Sequence, residues 1–191
     1  MRRMNPEIDI TKVVLRTKRL ILRSWKESDL QDLYEYASVP GVGEAAGWVH
    51  HDSMEESKRV LKMFMDGKYT FALECEGKVI GSLGIDPYNE KLFPEMEPFK
   101  CREIGYVLSK DYWGQGLMTE AVKEVLRYLF EEVKLDAVLC SHYLKNTRSA
   151  RVQEKCGFRH LKNFTGKTLY GTKEPSEMNV LFNEDRKIQV H

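Results

Sequence analysis

The sequence predicts an α+β fold in which a mostly antiparallel sheet is crossed once, near its middle, by a helix. Three observations carry this. Two β-type runs, Tyr69 to Glu74 and Val79 to Ile85, flank a tight Gly77 turn and read as a hairpin. The best-defined helical stripe starts at Leu117, just after a strand-like run from Arg102 to Leu108. A short apolar strand, Ala137 to Cys140, follows that helix within a few residues.

In chain order, Leu20-Ile21-Leu22 between Arg19 and Arg23 reads as the first strand. Asp29 is placed to cap a short helix carrying Leu30, Leu33, Tyr34 and Ala37. Ser53-Met54-Glu55-Glu56 has the spacing of a capping box, and Val60, Leu61, Phe64 and Met65 form the apolar stripe behind it. The hairpin comes next, then a polar, proline-bearing loop from Asp86 through Pro98, then the Arg102 to Leu108 strand. In the long helix Leu117, Met118, Val122, Val125, Leu129 and Val133 recur at spacings of three and four, widened by Leu126 and Phe130. Ser149 to Cys156 reads as a short helix ended by Gly157, and Met178 to Phe182 as a last strand. The order β-α-α-β-β-β-α-β-α-β-β has about four helices flanking the sheet.

At 191 residues the chain suits one domain, 1–191, burying roughly 70% of its unfolded surface, with 1–14 expected to be a loosely ordered extension. Thirty basic against twenty-nine acidic residues leave +1, which excludes a basic field for nucleic acid or an anionic membrane. No charge-free stretch exceeds eight residues, so a membrane-spanning helix is excluded. Cys75, Cys101, Cys140 and Cys156 are 26, 39 and 16 apart, matching neither a metal knuckle nor a dense disulfide framework. They read as free thiols. The charged start, Met1 to Glu7, lacks the apolar core of a signal peptide, and a cytoplasmic location is expected. No metal is expected either: His50-His51-Asp52 lacks a third ligand at recognisable spacing and reads as a surface loop. Trp25 and Trp48 suit either the core or an acceptor pocket.

The chemistry concentrates in Asp111 to Ala121, where Gly114 and Gly116 stand between a strand and a long helix. Unpaired amides and the helix dipole attract phosphate there, although a plain helix-starting turn uses glycine in the same way. A Rossmann fingerprint needs a small residue where Thr119 stands, and a P-loop ending in Gly166-Lys167-Thr168 needs glycine where Leu161 stands. The Rossmann match is therefore poor, leaving a nicotinamide dinucleotide as a third alternative, and the P-loop is excluded; something with a diphosphate is the natural guest.

Five segments together, from Leu15 to Phe182, resemble the GNAT superfamily of acyl-CoA N-acyltransferases, in its ribosomal-protein N-terminal acetyltransferase branch. They are Thr17 to Arg23, Val79 to Gly84, Arg102 to Tyr106, Tyr112 to Ala121, and Asn146 to Phe158. Trp113 and Met118 depart from the superfamily's usual loop residues. The resemblance implies a V-shaped split in the sheet, between the strand ending near Leu108 and the strand beginning near Ala137, that receives acetyl-CoA without a metal. Gly114, Gln115, Gly116, Leu117, Met118 and Thr119 would hold its pyrophosphate. A bulge at Tyr106, Val107 and Leu108 would aim an amide at the thioester carbonyl.

Glu103 stands where many relatives carry a general base; the alternative is a solvated carboxylate paired with Arg102. Ser149 is the candidate acid, because Gln153 occupies the position of the usual tyrosine. Asn146 would bind the pantetheine amide, or with Ser149 merely cap a helix. Arg151 would reach the phosphates or lie in water. The implied activity is acetyl transfer to a primary amine, on a protein N-terminus, a polyamine or another small amine, by direct attack. A binding module that senses acyl-CoA without chemistry is the alternative, and the chain would act as a monomer or homodimer.

Overall fold

The computed structural model describes residues 5–188. Its strands are β1 (Leu15–Arg16), β2 (Ile21–Arg23), β3 (Thr70–Cys75), β4 (Lys78–Asp86), β5 (Cys101–Leu108), β6 (Ala137–Tyr143), β7 (Arg159–Lys167) and β8 (Lys173–Phe182). The helices are α1 (Leu30–Ala37), α2 (Met54–Gly67), α3 (Leu117–Glu131), α4 (Thr147–Lys155) and α5 (Asn183–Ile188). All eight strands form one sheet in the order β1-β2-β3-β4-β5-β6-β8-β7, antiparallel except at β5–β6. The single parallel pair is where α3 crosses over, because only a crossover returns the chain in the same direction.

Local chemistry explains the elements. Glu76 and Gly77 both take positive φ, 50° and 83°, the two-residue turn whose twist matches a hairpin. Only half of the expected capping box forms: Ser53 Oγ accepts from the Glu56 amide at 3.2 Å, while the Glu56 carboxylate takes the Asp52 amide at 3.0 Å. Asp29 does not cap α1 with its side chain. It is buried, accepts the Lys26 amide at 2.8 Å in the turn before α1, and also receives both terminal nitrogens of Arg23 at 2.9 Å, while Arg23 Nε reaches Glu74 at 2.6 Å. A guanidinium fork binds a carboxylate more strongly than one backbone amide does. β6 and β8 run past the expected strands, to Tyr143 and back to Lys173, since their extensions pair with each other as far as Tyr143–Ser176 and β8 continues against β7 to Lys173.

Of the expected loose extension 1–14, residues 1–4 lie outside the described residues, and the 5–14 stretch is packed. Ile8 and Ile10 join the main core, Asn5 Oδ1 accepts the Cys101 amide at 2.7 Å and the Pro6 carbonyl accepts from Arg102 at 2.7 Å. In the His50-His51-Asp52 loop Asp52 is exposed, as expected of a surface loop, but His51 turns inward and is buried against Ser57, Nδ1 to Oγ 2.7 Å. Trp25 and Trp48 both pack with the α1–α2 cluster.

Three apolar clusters place the site. The largest joins α3 to one face of the sheet. The second lies under α1 and α2, and the third under the 87–100 loop, where Tyr88, Phe93 and Met96 meet Leu139, Met178 and Val180. Gly81 lets the ends of β4 and β5 approach closely: a Cβ there would meet the Val107 carbonyl at 2.3 Å.

The parallel ladder covers only Cys101–Ile104 against Ala137–Cys140, although β5 runs on to Leu108 and β6 to Tyr143. Beyond it the strands separate. In an unbroken parallel ladder the Ser141 carbonyl would take the Tyr106 amide and the Tyr143 carbonyl the Leu108 amide. Here Gln153 Nε2 donates to the Ser141 carbonyl at 3.1 Å and the Asn146 amide to that of Tyr143 at 2.8 Å. Buried carbonyls rarely go unpaired, so these bonds stabilise the separation.

Gln153 is 1% exposed, and its Oε1 also accepts from Asn179 Nδ2 at 2.7 Å. Gln153→Leu leaves the Ser141 carbonyl and the Asn179 amide group buried without these partners, at a cost of about 3 kcal/mol. A melting temperature lowered by roughly 6 to 12 °C is expected in thermal denaturation. An unchanged midpoint would show that the separation does not depend on this side chain.

Candidate active site

The gap between the two strands is the core of a cavity of about 650 Å³ that runs through the sheet. As the resemblance implied, the split lies between these two strands, and it opens past Ile104 and Cys140. The expected bulge at Tyr106 to Leu108 is absent, since β4 and β5 stay in regular register from Gly81–Leu108 to Asp86–Glu103. The Ser109 amide bonds to the Ile80 carbonyl on β4 at 2.7 Å. Amide directions alternate along a strand, so Val107 also faces β4, while Tyr106 and Leu108 turn their N–H groups into the split. The divergence of β6 frees these donors, with no extra residue inserted. Trp113 Nε1 donates to the Leu108 carbonyl at 2.9 Å, and Arg148 stacks on the Trp113 ring at 3.8 Å.

At one mouth lies the start of α3. Gly114 and Gly116 both have φ of 77°, and Gly116 is the N-cap, with no side-chain bond to the first turn. The first-turn amides, with the helix dipole behind them, therefore favour an anion of diphosphate type. Gly114, Gly116, Leu117, Met118 and Thr119 line the cavity, and Arg148, Arg151 and Lys155 add positive charge from α4. Gln115 is not among the lining residues. Its carbonyl accepts from Arg19 at 2.9 Å and its side-chain amide donates to the Asp111 carbonyl at 3.4 Å. Arg19 also holds Glu120 at 2.8 Å, and Thr17 Oγ1 donates to Glu120 at 2.6 Å. Burial opposes ionisation of Glu120, but these bonds from Thr17 and Arg19 hold its carboxyl below the ordinary range. The spaced pair Thr17-x-Arg19 and Glu120 is thus a brace that fixes the loop.

At the sheet centre, Ser149 Oγ lies 2.9 Å from the Tyr106 hydroxyl and accepts from Gln153 Nε2 at 3.2 Å. Burial raises the Tyr106 phenol well above its usual value, so it remains protonated. Asn146 caps α4, accepting the Ser149 amide at 3.2 Å and donating to the Ala45 carbonyl at 3.2 Å, and it also lines the cavity.

On the opposite face Glu103 sits half-buried at the wall, accepting from Ser141 Oγ at 2.9 Å. It is not the solvated partner of Arg102, whose side chain reaches Pro6 instead. Loss of water pushes the Glu103 carboxyl up to about 7, against the Ser141 hydrogen bond and with help from the Asp86 charge. Sequence reasoning gave no role to Asp86, the Trp113 indole, the Tyr106 hydroxyl, Arg148 or the Gln153 amide. The signals available were the departure at Trp113, the glutamine in place of tyrosine, and a carboxylate closing a strand.

The acetyltransferase (GNAT) domain model matches residues 19–159, and the chain belongs to that family. It is an acetyltransferase. It is 30% identical to the N-acetyltransferase YnaD of Bacillus subtilis (strain 168) over 145 residues, 75% of this chain and 81% of YnaD. A GNAT-family acetyltransferase from Bacillus anthracis superposes with a TM-score of 0.78 at 23% identity, covering 90% of this chain and 99% of that one. The ribosomal L7/L12 α-N-protein acetyltransferase RimL, solved with coenzyme A, gives a TM-score of 0.69 at 17% identity over 88% and 97% of the two chains.

A carboxyl that is neutral to about pH 7 when folded, but ionises near 4.3 when unfolded, binds more protons in the folded state between those values. Its contribution to stability therefore declines as pH rises from about 4 to 7. Glu103→Gln removes that titration. The variant's melting temperature relative to wild type should rise between pH 5 and pH 8, by roughly 4 to 8 °C for about 2 kcal/mol. A difference independent of pH would contradict the raised Glu103 carboxyl.

Proposed function

We propose that the enzyme transfers the acetyl group of acetyl-CoA to a primary amine by direct attack within the split. What supports this most is the juxtaposition of donor amides at Tyr106 and Leu108, the anion-favouring start of α3 at one mouth, and a near-neutral carboxyl, Glu103, on the opposite side. The residues fit coenzyme A: the first-turn amides with Arg148, Arg151 and Lys155 suit its diphosphate, and the strand amides suit the pantetheine and thioester carbonyls. Asn146 remains a candidate contact for the pantetheine, although both ends of its amide already hold α4 and the Ala45 loop.

Glu103 takes one proton from the arriving ammonium, the freed amine nitrogen attacks the thioester carbonyl carbon, the N–C bond forms, the C–S bond breaks, and the nitrogen's second proton passes to the departing sulfur. A base of pKa about 7 is half ionised at neutral pH, near the optimum for proton transfer at working pH. A strand amide directed at the developing oxyanion is worth about 3 kcal/mol. The thiolate has a pKa near 8.5 and leaves with modest help, which Ser149 gives by hydrogen bonding while Tyr106 and Gln153 hold its hydroxyl. The acceptors that fit this scheme are protein N-termini, polyamines and other small primary amines.

Two measurements test the reading. Acetyl-CoA at a hundredfold over its dissociation constant should add about 2.7 kcal/mol, raising the melting temperature by roughly 5 to 11 °C, while NAD has no such effect. Acceptor-dependent thiol release should give kcat/KM rising with pH through about 7. Glu103→Gln should lose that limb and about 10²-fold in rate at pH 7, with a smaller deficit at higher pH. Tyr106→Phe should cost only a few fold. Wild-type rates for Glu103→Gln at every pH would remove Glu103 as the base.

A further inference from the structure

The carboxylate of Asp86 closes β4 directly opposite Glu103 on β5, and both line the cavity. Among the described residues Glu103 is engaged by Ser141, whereas the Asp86 carboxylate makes no hydrogen bond or ion pair. Its direction is set by a bare patch of sheet. Gly84 and Gly105 are cross-strand partners, and a Cβ on them would lie 3.0 and 3.9 Å from Asp86 Oδ2. The carboxylate therefore folds back over two residues without side chains.

Like charges directly opposite one another across strands are destabilising. Burial raises the Asp86 carboxyl, and the Arg102 charge on the neighbouring strand pulls it partly back. Burial keeps the thiols of Cys101 and Cys140, the other titratable groups beside Glu103, well above their usual value, so they add no charge. A cation placed between the two carboxylates would relieve the repulsion. Next to them Phe93 and Phe164 stand edge to face at 5.4 Å with Met178 beside them, while Lys162 lies over the Phe93 ring at 5.5 Å and Lys167 lines the cavity further along.

We propose that Asp86 is the acceptor-binding residue: it holds the incoming ammonium beside Glu103 and selects primary amines that carry no carboxylate next to the amine. The substituent lies on the Phe93–Phe164–Met178 wall, which favours an apolar group. Peptide N-termini and alkylamines satisfy both conditions. Free amino acids do not, because their α-carboxylate would face two carboxylates. This inference rests on the acetyl-transfer reading above and narrows its acceptor.

The test compares phenylalaninamide with phenylalanine at saturating acetyl-CoA, in wild type, Asp86→Asn and Asp86→Glu. Taking the ratio of kcat/KM values across variants cancels the different intrinsic reactivities of the two amines. Wild type should prefer the amide at least tenfold. Asp86→Asn should raise KM for the amide about tenfold with kcat changed by less than about threefold, and should reduce the preference about tenfold. Asp86→Glu, which keeps the charge, should restore most of it. A retained acetyl-CoA shift in melting temperature checks that each variant is folded. An Asp86→Asn enzyme with wild-type KM and preference overturns the proposal, as does a loss confined to kcat. So does wild-type transfer to other primary amines but to neither of these two. No transfer to any primary amine would overturn the acetyltransferase chemistry itself.

Discussion

The site depends on one constraint: β5 and β6 are hydrogen-bonded for four residues and then must part. A strand pair that separates leaves backbone groups without their ladder partners, and each one unmatched in the interior costs free energy. Three carbonyls on the separating segments are occupied, Ser141 by Gln153, Tyr143 by Asn146 and Leu108 by Trp113. The amides of Tyr106 and Leu108 are left facing the gap. The gap therefore presents donors to a guest rich in carbonyl and phosphate oxygens, on a rigid strand held in register by β4.

The same economy recurs at the start of α3. A side-chain cap would occupy the first-turn amides, and Gly116 supplies none. The loop is held from outside, by Arg19 on the Gln115 carbonyl and by the bonds of Thr17 and Arg19 to Glu120. Binding donors and structural bonds are thus kept apart. On the other face the arrangement costs stability, because half-buried Glu103 opposes Asp86 with only a serine to compensate it. A fold selected for stability alone would replace one carboxylate. Their retention fits a task in which a cation arrives and gives up a proton.

Much of this was legible in the sequence. The element order, the hairpin turn, α3 and the glycine pair at its start follow from periodicity and local chemistry, which act over a few residues. Most of the proposed site residues also line one cavity, although Gln115 does not. The errors were long-range. Asp29 was assigned to its own helix, but Arg23 claims it, and 5–14 looked unanchored because Asn5 and Pro6 bond to Cys101 and Arg102 some ninety-six residues away. The split between β5 and β6 was expected from the resemblance, but the bulge expected beside it does not form, because the divergence of β6 alone frees the strand amides. Asp86 was missed because strand alternation alone does not reveal which strand lies opposite.

The Tyr106 and Leu108 amides remain unpaired donors until a ligand fills the split. Residue-resolved amide hydrogen exchange, with and without saturating coenzyme A, measures this directly. Val107, bonded to β4, should exchange slowly in both states. Tyr106 and Leu108 should exchange at least tenfold faster than Val107 in the free protein and become protected when coenzyme A binds. Equal protection of all three amides in the free protein, or no change at Tyr106 and Leu108 on binding, would contradict it.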